Sequence, residues 1–474
     1  MGVKIRLNLL ALLAAIAVVL SAYFLLDIIL PPPLGDGISS GEEILIKYTN
    51  LDKNTQEFQK LKEQKNFAKA RGSEFKQEGS ELCADPEPLI YLNNQNIPPG
   101  EASTIAVVAP IDSSVKPLAL EMLRGVAQAQ DEFNNSPQPG KKKYLRVMIA
   151  NENDDDPNKA SSKDVARLLL NEEEVLGVVG HFSSDATIEA NEIYSNQLVA
   201  ISPSSSMDIN PNAQNNYFFR IAPNNKDEAV ALANYISKTI KLSNTSKKIV
   251  IIYNNKSNYS LSLKYEFSRE VTEKGWQVFP YEINEINRTA NPFDEAENKN
   301  ISVIMFTVNS SLISEALLPI PDINPEQKLY YLGGDAMYKP SRLKSNYIKK
   351  VQNMVVAIPW HYTVDLPKSK EFVDKAYKLW CQPKDNEEKI TWLTATAYDA
   401  TKVLIEAIKN TENPTRADIQ KYIKTQISQD RPLIGVTGNI SFKENGDLER
   451  ESMLVQIKER NEGEEPKYVY ELVK

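Results

Sequence analysis

Two hydrophobic rhythms divide the chain. Residues 7–26 run mainly through Leu, Ala, Ile and Val, with Asn8 and Ser21 as polar interruptions, a stretch long enough to cross a hydrocarbon layer of roughly 30 Å. From Thr104 onward the pattern changes. Short apolar runs at 105–109, 145–150, 175–179, 198–201, 248–253, 301–306, 329–332 and 354–358 alternate with stretches of helical spacing, such as Leu118, Met122, Val126, Ala129 and Phe133. Apolar runs this short, each followed by an amphipathic helix, are the mark of βαβ units, whose parallel strands are covered on both faces. The predicted class is α/β. Residues 103–474 are too many for one sheet, so the expectation is two doubly wound lobes, with a ligand cleft at the carboxyl ends of the strands.

The N-terminal fifth reads differently. Lys4 and Arg6 precede the apolar run and Asp27 and Asp36 follow it, which places the N-terminus in the cytoplasm and the rest outside. The run is longer than the apolar part of a cleavable signal, so residues 1–34 are expected to be a transmembrane anchor or uncleaved signal. No cysteine follows closely enough to carry a lipid. Pro31, Pro32 and Pro33 end the helix, and 35–41 reads as a linker. Phe58, Leu61, Phe67, Ala68, Ala70 and Phe75, then a second run at 89–92, recur at near-helical spacing. They resemble one degenerate tetratricopeptide helix pair. Such a unit cannot bury a core by itself, so 35–102 is expected to be a linker and helical stalk packed on its neighbour.

Composition narrows the function. A net charge of -8 and a pI near 5.3 argue against nucleic acid, whose phosphates require a clustered basic surface. Cys83 and Cys381 are the two cysteines and His181 and His361 the two histidines. That excludes a CxxC redox pair and the usual zinc ligand sets, leaves a Cys83–Cys381 disulfide open, and calls for no cofactor or metal. No GxxxxGK[ST] loop is present for nucleotide hydrolysis. No GxSxG elbow is present either, and His181 lies on the same turn as Ser183 and Ser184, poorly placed to activate them. The chain is read as a binding protein and not an enzyme.

Three loops after predicted strands carry candidate ligand groups. Ser183, Ser184 and Asp185 suit a helix start, where unpaired N–H groups and the dipole hold an anion; the plainer reading is a helix cap. Ser202 to Ser206 offer hydroxyls beside Pro203. Gly333 and Gly334 allow close approach to Asp335, whose carboxylate suits an ammonium group.

In order and spacing, 178–184 and 201–206, together with Arg124, Gly125, Asn134, 251–259, 333–335 and 437–448, resemble the leucine/isoleucine/valine-type periplasmic binding proteins. The resemblance runs from Thr104 to the C-terminus. It implies that the hydroxyls of Ser184 and Ser206, with the backbone of Ser204 or Ser205, hold a ligand carboxylate. It also implies that Asp335 holds the amino group and that Tyr259 closes over the ligand. The chain departs from the pattern at Asn225, where an aspartate often assists ammonium binding, and at 308–310, where an aromatic often lines the side-chain pocket. Another zwitterion, a peptide-like compound or an amide such as urea therefore stays open. The same resemblance implies three crossovers between the lobes, near 220–224, 354–359 and 433–438. It implies a first lobe of 103–222 with 356–433 and a second of 223–355 with 434–474. Closure of the lobes would be read by an ABC-type permease in a bacterial membrane, with the binding module periplasmic or otherwise extracytoplasmic. A tethered ligand sensor without a transport role is the alternative.

Overall fold

The computed structural model describes residues 37–49, 52–136, 143–156, 158–207, 217–240, 247–285, 301–320, 329–340, 343, 346–382, 390–460 and 467–473. The chain divides into Met1–Gly37 and Ile38–Lys474. The expected membrane span at 7–26 lies outside the described residues. Among the described residues no helix is long and apolar enough to cross a membrane.

Ile38–Lys474 is built on two sheets. The first has the order β1-β3-β2-β4-β5-β6, with β1 Ile38–Ser39, β2 Ala102–Ala109, β3 Tyr144–Asn151, β4 Val175–Val179, β5 Val199–Ser202 and β6 Phe218–Arg220. The second has the order β15-β14-β11-β10-β9-β7-β8, with β7 Lys248–Tyr253, β8 Gln277–Glu282, β9 Val303–Phe306, β10 Tyr330–Gly333, β11 Val355–Ile358, β14 Met453–Arg460 and β15 Lys467–Leu472. A hairpin of β12 Leu433–Ile434 and β13 Asn439–Ile440 stands apart from both. Strands such as β9 and β11 are buried along their whole length, which is why their sequences show no alternation. All eight predicted runs are strands, within three residues at each end. The expectation of wholly parallel sheets needs correction: β1 is antiparallel to β3, and β14 and β15 run antiparallel at one edge of the second sheet. Their alternating, half-exposed residues gave no continuous apolar run.

The lobe boundaries also shift. β11 pairs in the second sheet along its full length, so the return to the first lobe follows Ile358. The helix Trp392–Lys409 then packs against the helix Lys116–Asn135. At Gly125 a Cβ would strike the backbone of Thr394 and Tyr398, so glycine sets this close approach. Residues beyond 434 remain with the first lobe: Arg220 N–H donates to the Gly446 carbonyl (3.1 Å), the Arg220 guanidinium pairs with Asp447 (2.7 Å), and Phe442 packs on Phe219. The last crossover therefore falls between Glu449 and Met453, not at 433–438.

The expected linker and stalk are sewn into the first lobe. Ile38–Ser39 is a strand, not linker. Asn94, at the end of the helix Glu87–Gln95, pairs with both backbone groups of Val147 (2.8 and 3.0 Å) as a neighbouring strand would, covering the sheet edge. Residues 64–86 separate this helix from Lys53–Glu63, so no tight helix pair forms. Inside the extension Lys62 is fully buried. Its ammonium donates to Asp85 (2.7 Å) and to the Ile46 carbonyl (2.8 Å), and forms an ion pair with Glu87 (2.7 Å). Burial works against that charge, yet the two carboxylates raise Lys62 above the ordinary lysine range. A disulfide joins Cys83 to Cys381, whose Cα atoms are 6.0 Å apart and which lie 298 positions apart in sequence.

Candidate functional site

The two lobes enclose a cleft of about 1060 Å³ lined by both of them, at the carboxyl ends of β2, β4, β5, β7 and β10. On the first lobe, β4 leads through Gly180 and His181 to the helix Ser184–Tyr194. Ser183 is its N-cap and accepts the Ala186 N–H at 3.0 Å, so the cap reading holds for Ser183. Ser184, the next residue, is free of that duty and lines the cleft. Its hydroxyl lies 3.4 Å from the Ser205 hydroxyl and 3.4 Å from the Met207 N–H.

The serine loop after β5 is ordered from within. Ser204 lines the cleft and donates to the Phe182 carbonyl (2.6 Å). Ser205 and Ser206 are buried behind it. Ser205 N–H donates to the Ser202 hydroxyl (2.9 Å). The Ser206 carbonyl accepts the Asn225 N–H (2.7 Å), while its hydroxyl has no hydrogen-bond partner among the described residues. Asn225 is buried and lies outside the lining, its amide donating to the Tyr259 carbonyl (3.3 Å). It braces the tyrosine instead of facing the cleft.

The second lobe supplies the aromatic and the acid. Tyr259, near the start of the helix Asn258–Glu273, lines the cleft together with Asp335. Its hydroxyl hydrogen-bonds the Asp335 carboxyl and accepts the Ala336 N–H at 3.4 Å. A Cβ on Gly334 would strike the Tyr259 hydroxyl and lie 2.9 Å from Glu228 Oε2. Glycine at this position lets three side chains converge. Burial pushes Asp335 up to about 7, against the Tyr259 and Ala336 hydrogen bonds that lower it. Burial and then the Asp335 charge push Tyr259 well above its ordinary range.

Glu228 is the group the sequence reading missed. It is buried on the helix Asn225–Thr239, and its Oε2 accepts the Asp335 N–H at 3.2 Å. Burial, and next the charge of Asp335, hold its carboxyl well above the usual range. In sequence it stands beside Asp227 in the first turn of a helix, where acidic residues are ordinary complements of the dipole, so nothing marked it out. The N-terminal extension was missed as well: Lys47, Tyr48 and Thr49 line the same cleft, and the Lys116 ammonium donates to the Lys47 carbonyl (2.7 Å).

Two further groups bear on chemistry and on closure. His181 Nδ1 lies 2.5 Å from Glu152 and Nε2 lies 3.0 Å from the Tyr194 hydroxyl. Both ring nitrogens are thus taken, and neither reaches Ser183 or Ser184. Across the mouth, Asp185 of the first lobe accepts the Asn258 side-chain amide (2.5 Å) and backbone N–H (3.2 Å) of the second.

The comparisons agree with this architecture. An amino acid binding protein of Pseudomonas aeruginosa is 26% identical over 182 residues, which is 38% of this chain and 46% of that protein; the match thus spans about half of the relative's length. An ABC transporter substrate-binding protein from Desulfitobacterium hafniense, in complex with Leu, superposes with a TM-score of 0.60 at 20% identity, covering 78% of this chain and all of the other. The branched-chain amino acid transporter substrate-binding protein of Streptococcus pneumoniae, in complex with isoleucine, gives 0.61 at 19% over 78% and 100%. A solute-binding protein from Rhodopseudomonas palustris BisB5, holding 3,4-dihydroxy benzoic acid, gives 0.61 at 12% over 78% and 97%. At such identities the likeness is one of fold. A family match extends from β2 through β14, over residues 103–464, and by it the chain belongs to the periplasmic binding protein family.

Proposed function

We propose that this protein captures an amino acid or a similar small zwitterion outside the cytoplasm by closing its two lobes, and presents it to an ABC-type permease. The observation that best supports this is the pairing of opposite chemistries in one cleft. The first lobe offers a helix N-terminus and serine hydroxyls for a carboxylate, and the second offers the buried carboxyl of Asp335 for an ammonium group. In this reading Ser184, Ser204 and Ser206 hold the carboxylate, Ser205 orders their loop, and Asn225 steadies Tyr259 as it covers the ligand. The relatives' own ligands favour the same class. Leu and isoleucine carry an amine, whereas 3,4-dihydroxy benzoic acid has no cation to set against Asp335. The apolar run at 7–26 and its charge flanks support tethering to the outer face of the cytoplasmic membrane.

A thermal-shift screen of the full chain, freed of carried-over ligand, against amino acids, short amides, urea and hydroxybenzoates tests the reading. A ligand that binds only the folded state raises the melting temperature. The expected result is a shift with one or more amino acids, weakened by Ser184→Ala and lost in Asp335→Asn. A shift with a hydroxybenzoate and none with any amine-bearing compound would overturn it.

A further inference from the structure

Two carboxyls buried side by side without a cation are costly unless a proton or a ligand offsets their charge. Glu228 and Asp335 are such a pair: they are 1% and 4% exposed, and the Glu228 carboxyl accepts the backbone N–H of Asp335 itself. The titratable groups acting on them are Asp227, on the same helix as Glu228, and Tyr259, on the helix packed against it; among the described residues no cation acts on either. Among the described residues Oε1 of Glu228 has no hydrogen-bond partner, nor has Oδ1 of Asn225, one turn earlier on that helix. The arrangement therefore holds an unused acceptor of Glu228 directly behind the cleft-lining Asp335.

We propose that Glu228 and Asp335 form a two-carboxylate pocket for a ligand ammonium group, in which a proton on Glu228 stands in for the ligand and leaves as the ligand enters. This rests on the reading of Asp335 as the acceptor of an amine. The balance is simple. The ligand-free pocket holds Glu228 as a carboxylic acid beside the Asp335 carboxylate. The ammonium keeps its three hydrogens and donates to both carboxylates, and the Glu228 O–H bond breaks, releasing one proton to solvent. Affinity then rises with pH, by about tenfold per unit while Glu228 is protonated in the free protein. Glu228 thereby acts as a positioning residue and as the source of a proton count.

The test uses the full chain with L-leucine as the probe. Calorimetry at pH 8, above the range in which Asp335 itself titrates, is run in two buffers of different ionisation enthalpy. Wild type is expected to release close to one proton per leucine bound. Glu228→Gln keeps the volume and an acceptor for the Asp335 N–H, and is expected to release none and to bind with an affinity that no longer climbs with pH. Infrared spectra of the ligand-free protein at pH 8 supply an arm that needs no ligand. A carboxylic-acid C=O band present in wild type and missing in Glu228→Gln supports the pair even where leucine fails to bind, in which case the amino-acid reading is what falls. Equal proton release by the two proteins, or no such band in wild type, overturns the pair.

Discussion

The molecule buries acidic side chains together in two places, and the contrast between them separates structure from function. In the N-terminal extension, Asp85 and Glu87 enclose the Lys62 ammonium, and Glu87 also accepts the Leu45 and Ile46 N–H groups. Every charge there has a partner within the fold. In the cleft, Glu228 and Asp335 face each other with a tyrosine hydroxyl and two backbone N–H groups, but with no cation among the described residues. The first cluster carries its own cation, whereas the second has none among the described residues. A buried charge matched from within holds the chain together, and one left unmatched marks where something else binds.

Breaking the first cluster should have the largest effect. Lys62→Met strands two carboxyls and is expected to cost about 3 to 5 kcal/mol of stability, read from urea denaturation. Next comes the disulfide. Cys83→Ala with Cys381→Ala is expected to cost about 2 to 4 kcal/mol and to loosen the extension, seen as faster amide exchange over the helix Glu87–Gln95. In the cleft, Asp335→Asn removes the charge that would meet an ammonium group. It is expected to weaken amino-acid binding by on the order of 100-fold, equivalent to about 3 kcal/mol, while leaving the urea midpoint unchanged or raised. The comparison is sharpened by pH. Asp335 has a folded-state value of about 7, above its unfolded 3.8, so its contribution to stability is fully present below pH 4 and is lost as pH rises toward 7. Ligand-free protein is therefore expected to lose on the order of 1 kcal/mol for each pH unit in that window relative to Asp335→Asn, measured by denaturation in each buffer. The smallest effect is expected at the mouth. Asp185→Ala removes the bonds to Asn258 and should shift the closed–open balance by about 1 kcal/mol, visible as a larger radius of gyration in solution scattering of the ligand-free protein.

The βα rhythm was legible because fully buried parallel strands leave continuous apolar runs, and all eight of those runs are strands. Strands β14 and β15 were not, since strands at the antiparallel margin of the sheet with one wet face carry charged residues such as Lys458 and Glu471. Of the expected site residues, Ser184, Ser204 and Asp335 were read from loops that follow strands and Tyr259 from the family resemblance, and all four line the cleft. Glu228 was hidden by a local explanation that sufficed for it, the acidic first turn of a helix. Lys47 and Tyr48 were hidden by distance: no local pattern says that a segment preceding the first long strand folds back to the mouth of the cleft. The displaced crossovers have a related cause, because segments such as 441–449 lack periodicity and their lobe is fixed by contacts with Phe218, Phe219 and Arg220.

The packing of Trp392–Lys409 against Lys116–Asn135, with Gly125 at the closest approach, also sets a timetable for synthesis. The first lobe receives that helix only after the second lobe's parallel strands have been made, and receives Phe442 and Asp447 later still. Neither half can finish folding while the ribosome is at work on the middle of the chain, so completion is deferred to the last tenth of the sequence. Under the proposed extracytoplasmic placement, a nascent chain held back in this way stays pliable enough to be threaded through a translocation pore before it acquires a shape too wide to pass.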